Sequence, residues 1–80
     1  MTLYEGKAGE EYEVEALRLP DAVTRRFEAL GIFEGTKVLV LNKKKAGALI
    51  IKARGARWAV GKENAKGILV KEHRTNEKYN

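Results

Sequence analysis

Few side chains of this 80-residue chain could carry chemistry: one histidine, His73, one aspartate, Asp21, a set of glutamates, and neither cysteine nor serine. The missing cysteine excludes disulfides, thiolate zinc sites, iron–sulfur clusters and a cysteine nucleophile together. Acid–base catalysis needs titratable groups that converge, and this inventory offers little to converge, so the chain is expected to be no enzyme. Glu11, Glu13 and Glu15 alternate along one strand face and could gather a hard cation through carboxylate oxygens. A solvated strand face accounts for the same three residues, because a cation site draws ligands from several directions. His73 opens a polar end, 73–80, and reads as a solvated surface histidine. Neither a metal site nor a cofactor is expected.

Basic residues are more plentiful. The net charge is +5 with a pI near 9.6. Residues 1–35 hold four basic and eight acidic side chains, net −4, and residues 36–80 hold twelve and three, net +9. A basic half of this kind suits an acidic protein surface, an anionic membrane or nucleic acid. Arg25, Arg26, Arg54 and Arg57, with the lysine run Lys43–Lys45, support the nucleic-acid reading, but the aromatic residues that would stack bases are sparse. The single tryptophan, Trp58, sits in a strand pattern, where its size suits the core.

The elements that must position these residues follow from periodicity. Tyr12, Val14 and Ala16 alternate with glutamates over Glu11–Leu17, the pattern of a strand with one wet face. Leu19-Pro20-Asp21 ends it, and Asp21 is expected to cap a helix over Asp21–Leu30 whose stripe is Val23, Phe27 and Leu30, with Gly31 as the stop. Val38–Leu41, Ala48–Ala53, Arg57–Val60 and Ile68–Val70 read as further strands, the middle two joined by a glycine hairpin at Arg54–Ala56. Lys62–Lys66, between Gly61 and Gly67, forms one helical turn at most. Eighty residues make a single small domain, expected over 1–72 with a polar tail at 73–80. Five short strands with one helix after the first and a helical turn before the last imply a small, mainly β, SH3-like barrel, closed or nearly closed, because closure removes strand edges that would otherwise aggregate. No strictly apolar run exceeds four residues and residues 1–17 carry five glutamates, so neither a membrane span nor an export signal is expected, and the location implied is cytoplasmic.

The stretch from Asp21 to Gly35, with Arg26-Phe27 on a helix, Leu30-Gly31-Ile32 and then Gly35 before an apolar strand, resembles the central signature of the FeoA family of bacterial proteins. Downstream, Arg54-Gly55, Ala59-Val60, Ala65 and Ile68-Leu69-Val70 resemble that family's closing pattern, and the likeness runs from about Tyr12 to Lys71. Two positions depart from it: Glu34 stands where proline usually precedes Gly35, and the loop Lys43–Ala48 lacks a proline-containing segment. The resemblance implies an SH3-like domain working beside FeoB, the ferrous iron permease, as a cytosolic accessory in iron homeostasis rather than as an iron-binding protein. The alternative it leaves is a nucleic-acid-binding or regulatory barrel of the kind appended to metal-dependent repressors, although no helix-turn-helix precedes this one.

If a FeoB-like permease is the partner, the docking surface is expected where apolar and basic groups meet. Ile32 and Phe33 follow the helix stop, cannot continue its buried stripe, and would present apolar area beside Arg25 and Arg26. A surface around Trp58 and Leu49 is the second choice. Direct insertion into the membrane is not expected.

Overall fold

The computed structural model describes residues 1–73. Five antiparallel strands form one sheet: β1 (Glu11–Leu17), β2 (Lys37–Lys43), β3 (Leu49–Ala53), β4 (Ala56–Val60) and β5 (Ile68–Glu72), in the order β4-β3-β2-β1-β5. The helix α1 (Asp21–Ala29) joins β1 to β2, and the short helix α2 (Lys62–Lys66) carries the chain from β4 at one edge to β5 at the other. A 3-10 turn, η1 (Leu3–Glu5), precedes β1 and lay outside the sequence expectation.

Alternation sets what each strand buries. Tyr12 and Val14 of β1, Val38 and Val40 of β2, Leu49, Ile51 and Ala53 of β3, and Ile68 and Val70 of β5 all turn inward into one core. On the outer face Glu13 stands in register with Lys37 on one side and Lys71 on the other, so opposite charges face each other across both ladders. Glu15 lies where the register of β1 against β5 shifts, between Val14 and Ala16, and a second shift falls at Leu41 between Val40 and Asn42. Such bulges add an unpaired residue and bend the strand, which lets a five-stranded sheet wrap around so small a core.

The expected closure of the barrel does not occur, because β4 and β5 share no ladder. On the β5 side other elements take the place of a strand: η1 and α2 pack on each other and on β5, and they bring Leu3 and Ala65, both essentially inaccessible, into the same core as Val60 of β4. Residues Met1 and Thr2 also cover the outer edge of β5, through the Val70 N–H donating to the Met1 carbonyl at 2.9 Å and a bridge from Thr2 to Leu69. The edge of β5 is therefore protected by covering rather than by closure.

Two further expectations change. Asp21 is the first residue of α1 rather than its cap: Pro20 holds the cap position, and its carbonyl accepts the Thr24 N–H at 2.9 Å. The Asp21 carboxylate then serves the positive end of the helix through the field of its aligned peptide dipoles. His73 is half-buried and tied to β1, its N–H donating to the Glu11 carbonyl at 3.0 Å and its Nε2 standing 3.9 Å from Glu11 Oε1. The remainder of the 73–80 tail lies outside the described residues.

Candidate docking site

Helix α1 ends in a hydrogen-bonded pattern that decides where the next residues go. Leu30 caps it, Gly31 takes φ +88, the Gly31 N–H donates to the Glu28 carbonyl at 3.0 Å and the Ile32 N–H reaches back to the Phe27 carbonyl at 2.9 Å. This six-to-one and five-to-two pair is the Schellman arrangement, in which the residue after the glycine folds back onto the last turn. Ile32 is accordingly 1% exposed and shares the core with Phe27. The expectation of Ile32 as exposed apolar surface is corrected: the cap that stops the helix also turns Ile32 inward.

Phe33 takes the opposite course. It is 42% exposed, one of two large apolar side chains so open among the described residues, with Met1 the other. Its backbone nevertheless is held firmly. The Thr36 N–H donates to the Phe33 carbonyl at 2.9 Å, closing a four-residue turn, and the Phe33 N–H donates to Thr36 Oγ1 at 3.0 Å. The same hydroxyl donates to the Gly31 carbonyl at 3.0 Å, so the buried Thr36 links both ends of the segment. Gly35 N–H to the Val14 carbonyl and Val14 N–H to the Thr36 carbonyl, each 2.8 Å, fasten the turn to β1. An apolar ring is thus displayed on a backbone that has little freedom left to lose on binding.

Within that turn Gly35 has φ +92 while Glu34 is not in the left-handed region, which is the type II geometry. Type II turns favour proline at their second position, where Glu34 stands. Glu34→Pro should therefore raise stability by about 0.4–1 kcal/mol by restricting the unfolded chain, measurable as an upward shift in the thermal midpoint. A lowered midpoint would show that the turn cannot take the proline ring.

Arg25 and Arg26 are exposed on α1, Arg26 in its last turn. A third arginine reaches the end of α1 from across the fold. The hairpin between β3 and β4 turns on two left-handed residues, Arg54 at φ 55 and Gly55 at φ 77, the mirror-image turn that matches strand twist. This swings Arg54 over Gly31, where a methyl group on the glycine would stand 2.9 Å from Arg54 Nε. Sequence reading placed Arg54 among the basic residues but not at this site. Nothing in the spacing of Gly31 and Arg54 brings them together; the sheet does. Thr36 was also missed, although an apolar turn followed by one threonine before a strand is a recognisable anchor.

The second expected surface does not form as a unit. Leu49 is wholly inaccessible, paired with Val60 in the sheet, so it belongs to the core and not to a surface, since inward alternation claims every second residue of β3. Trp58 packs half-buried against the same core and its Nε1 donates to the Ala53 carbonyl at 3.1 Å. Among the described residues no group of three or more His, Asp or Glu stands close enough to hold a metal ion, and no helix is long and apolar enough to cross a membrane.

Solved structures share this arrangement. The solution structure of the FeoA protein from Chlorobium tepidum superposes with a TM-score of 0.88 at 32% identity, over 96% of this chain and 74% of that one. The zinc complex of Stenotrophomonas maltophilia FeoA, an SH3 domain protein proposed to act as a bacterial ferrous iron transport activating factor, matches at TM-score 0.77 and 29% identity over 89% of each chain. A manganese-dependent transcriptional repressor shares the fold at TM-score 0.83 and 22% identity, the chain covering 36% of its length. No curated protein matches the sequence. The model of the FeoA domain matches residues 1–72, which takes in η1, the bent five-stranded sheet, the Schellman cap and the Phe33 turn. On that match and the likeness to the Chlorobium protein, the chain belongs to the FeoA domain family.

Proposed function

We propose that this chain is a non-enzymatic cytoplasmic accessory of ferrous iron uptake that docks on the cytosolic part of a FeoB-like permease through the Phe33 turn and the arginines Arg25, Arg26 and Arg54. The observation that carries this reading is an exposed aromatic ring on a turn pinned at both ends by one buried threonine hydroxyl. Aromatic and arginine side chains dominate binding hot spots because they bury large area at low entropic cost and pair with acidic groups. Family membership and the transport role described for the Stenotrophomonas relative support the partner. Ile32 contributes from beneath by fixing the turn, and Trp58 and Leu49 stand outside the contact.

Calorimetry with the soluble cytosolic portion of such a permease tests the proposal. Phe33→Ala should weaken binding by about 2 kcal/mol, roughly thirtyfold, while the melting temperature stays nearly constant. Binding unchanged by Phe33→Ala would place the contact elsewhere.

The likeness to a domain of the manganese-dependent repressors supports a second reading, a regulatory or nucleic-acid-binding role. A salt titration separates the two. Binding to phosphate backbones falls linearly on a log–log plot with a slope set by the number of neutralised phosphates, and an apolar anchor flanked by arginines gives a much shallower dependence.

A further inference from the structure

A second charged cluster lies away from the Phe33 turn. Tyr4, half-buried in η1, is surrounded by three lysine ammonium groups from two other elements: Lys43 Nζ at 4.4 Å from the ring centroid, Lys66 Nζ at 5.4 Å and Lys62 Nζ at 5.8 Å. Lys62 and Lys66 stand one helical turn apart on α2 and so share a face, while Lys43 ends β2. The β2–β3 turn supports them from beneath, since the stem of Lys62 lies across the buried Gly47, where a methyl group would stand 2.9 Å from Lys62 Cδ. Lys44 and Lys45 follow, both exposed.

No carboxylate among the described residues pairs with these three cations. The acid nearest in sequence to Tyr4, Glu5, is engaged by the Thr2 N–H at 2.6 Å. Lys43 donates one of its protons to the Tyr4 carbonyl at 2.7 Å, and Lys62 and Lys66 make no hydrogen bond to another described residue. Each ammonium lies within 5.8 Å of one ring centroid, so the positive potentials of all three add in the space around a single side chain. Three like charges around one ring, with most of their donors unclaimed by other described protein groups, offer an arriving anion several cationic donors at once.

We propose that the Lys43, Lys62 and Lys66 cluster around Tyr4 binds a phosphate-bearing anion of two or more negative charges. The composition selects the chemistry. A lone carboxylate carries one charge and is best met by the planar fork of arginine, whereas lysines act as movable point charges suited to a compact anion with many acceptor oxygens. A nucleic-acid strand would need an aromatic face for its bases, and Lys43 Nζ already occupies the ring of Tyr4. The cluster is also separate from the docking site. It lies at the Leu49 end of β3, beside Gly47, and Arg54 lies past the Ala53 end, four residue steps or roughly 13 Å along the strand at about 3.3 Å each.

The same phosphate chemistry is offered by a soluble diphosphate and by the phosphomonoester headgroup of an anionic lipid, and two arms of one experiment distinguish them. In the first, inorganic pyrophosphate is titrated into the full chain and followed by nuclear magnetic resonance. Saturable shifts centred on Tyr4, Lys43, Lys62 and Lys66, with Phe33 and Arg54 unmoved, are expected. Lys43→Gln should weaken binding about fivefold, and the triple K43Q/K62Q/K66Q variant about a hundredfold. Lys62→Gln with Lys66→Gln, leaving the Lys43 bond to η1 in place, serves if the triple variant folds poorly. In the second arm, vesicles of phosphatidylcholine with and without phosphatidic acid are sedimented with the protein. Binding only to the phosphatidic acid vesicles, competed by pyrophosphate, assigns the site to a membrane headgroup; pyrophosphate binding without vesicle binding assigns it to a soluble ligand. The proposal is overturned if neither ligand binds, if sodium chloride at equal ionic strength reproduces the shifts, if they spread evenly over Lys37, Lys52 and Lys71, or if only a single-stranded oligonucleotide engages the cluster.

Discussion

Phe27→Ala should destabilise the domain by about 3–5 kcal/mol, the largest effect expected of any single substitution considered for this chain. Phe27 is the one residue of α1 that is buried, at 8% exposure, while Val23 and Leu30 only lean on the core from its margin. Truncation removes the contact that seats the helix, leaves a cavity that the β-sheet cannot collapse into, and takes away the surface on which Ile32 folds back. Small domains have total stabilities of roughly 0.05–0.15 kcal/mol per residue, so the loss approaches the whole for a chain of this size. Thermal unfolding followed by circular dichroism checks it, with a drop of roughly 4–8 °C expected for each kcal/mol lost. A variant melting with the parent would mean that α1 is held by something other than Phe27. Paired with Phe33→Ala, the experiment separates two aromatic rings six positions apart: one should cost stability and the other binding.

Leu49→Ala should cost about 2–5 kcal/mol and for a different reason. Leu49 is wholly inaccessible, opposite Val60 in the ladder that joins β4 to β3, and it stands at the start of β3 just after the lysine turn. A cavity there loosens the β3–β4 hairpin, which in turn carries Arg54 over Gly31. Denaturant titration should show a lower midpoint with an unchanged slope, since the folded and unfolded surfaces are otherwise alike. If Leu49→Ala instead keeps its midpoint and weakens partner binding, Leu49 is a contact residue and the docking site must be redrawn around it. Because the hairpin positions Arg54, any weakening of binding to the proposed partner by Leu49→Ala should follow its loss of stability and recover at lower temperature.

These expectations rest on two kinds of information that the chain carries differently. Local backbone chemistry was legible in the residues themselves. The alternation of Tyr12, Val14 and Ala16 marks β1 to its ends, Glu11–Leu17; Gly31 stops α1 within a residue of its expected end; Arg54-Gly55 marks the hairpin; and Gly61 and Gly67 bracket α2. Each is settled by the conformational preferences of a few neighbouring residues, which do not depend on what lies across the fold. Ile32 was misplaced by periodicity alone, which excludes it from the helix stripe; the capping pattern, which folds the residue after the glycine back onto the last turn, is what puts it in the core.

Tertiary structure alone decided the rest. The sheet stays open and η1 with α2 packs on β5 instead, although Leu3 and Ala65 carry no signal in sequence that they will meet in the core. Burial is a property of both surfaces that come together, and a sequence displays them one at a time. The same holds for the charged sites. Arg54 reaches Gly31 only because the hairpin folds over the end of α1, and Lys43, Lys62 and Lys66 surround Tyr4 only because β2, α2 and η1 converge at one end of the domain. Composition determined that the second half of this chain would be basic; the packing of three short elements determined where that charge is concentrated, because electrostatic fields add by distance in space and not by distance along the chain.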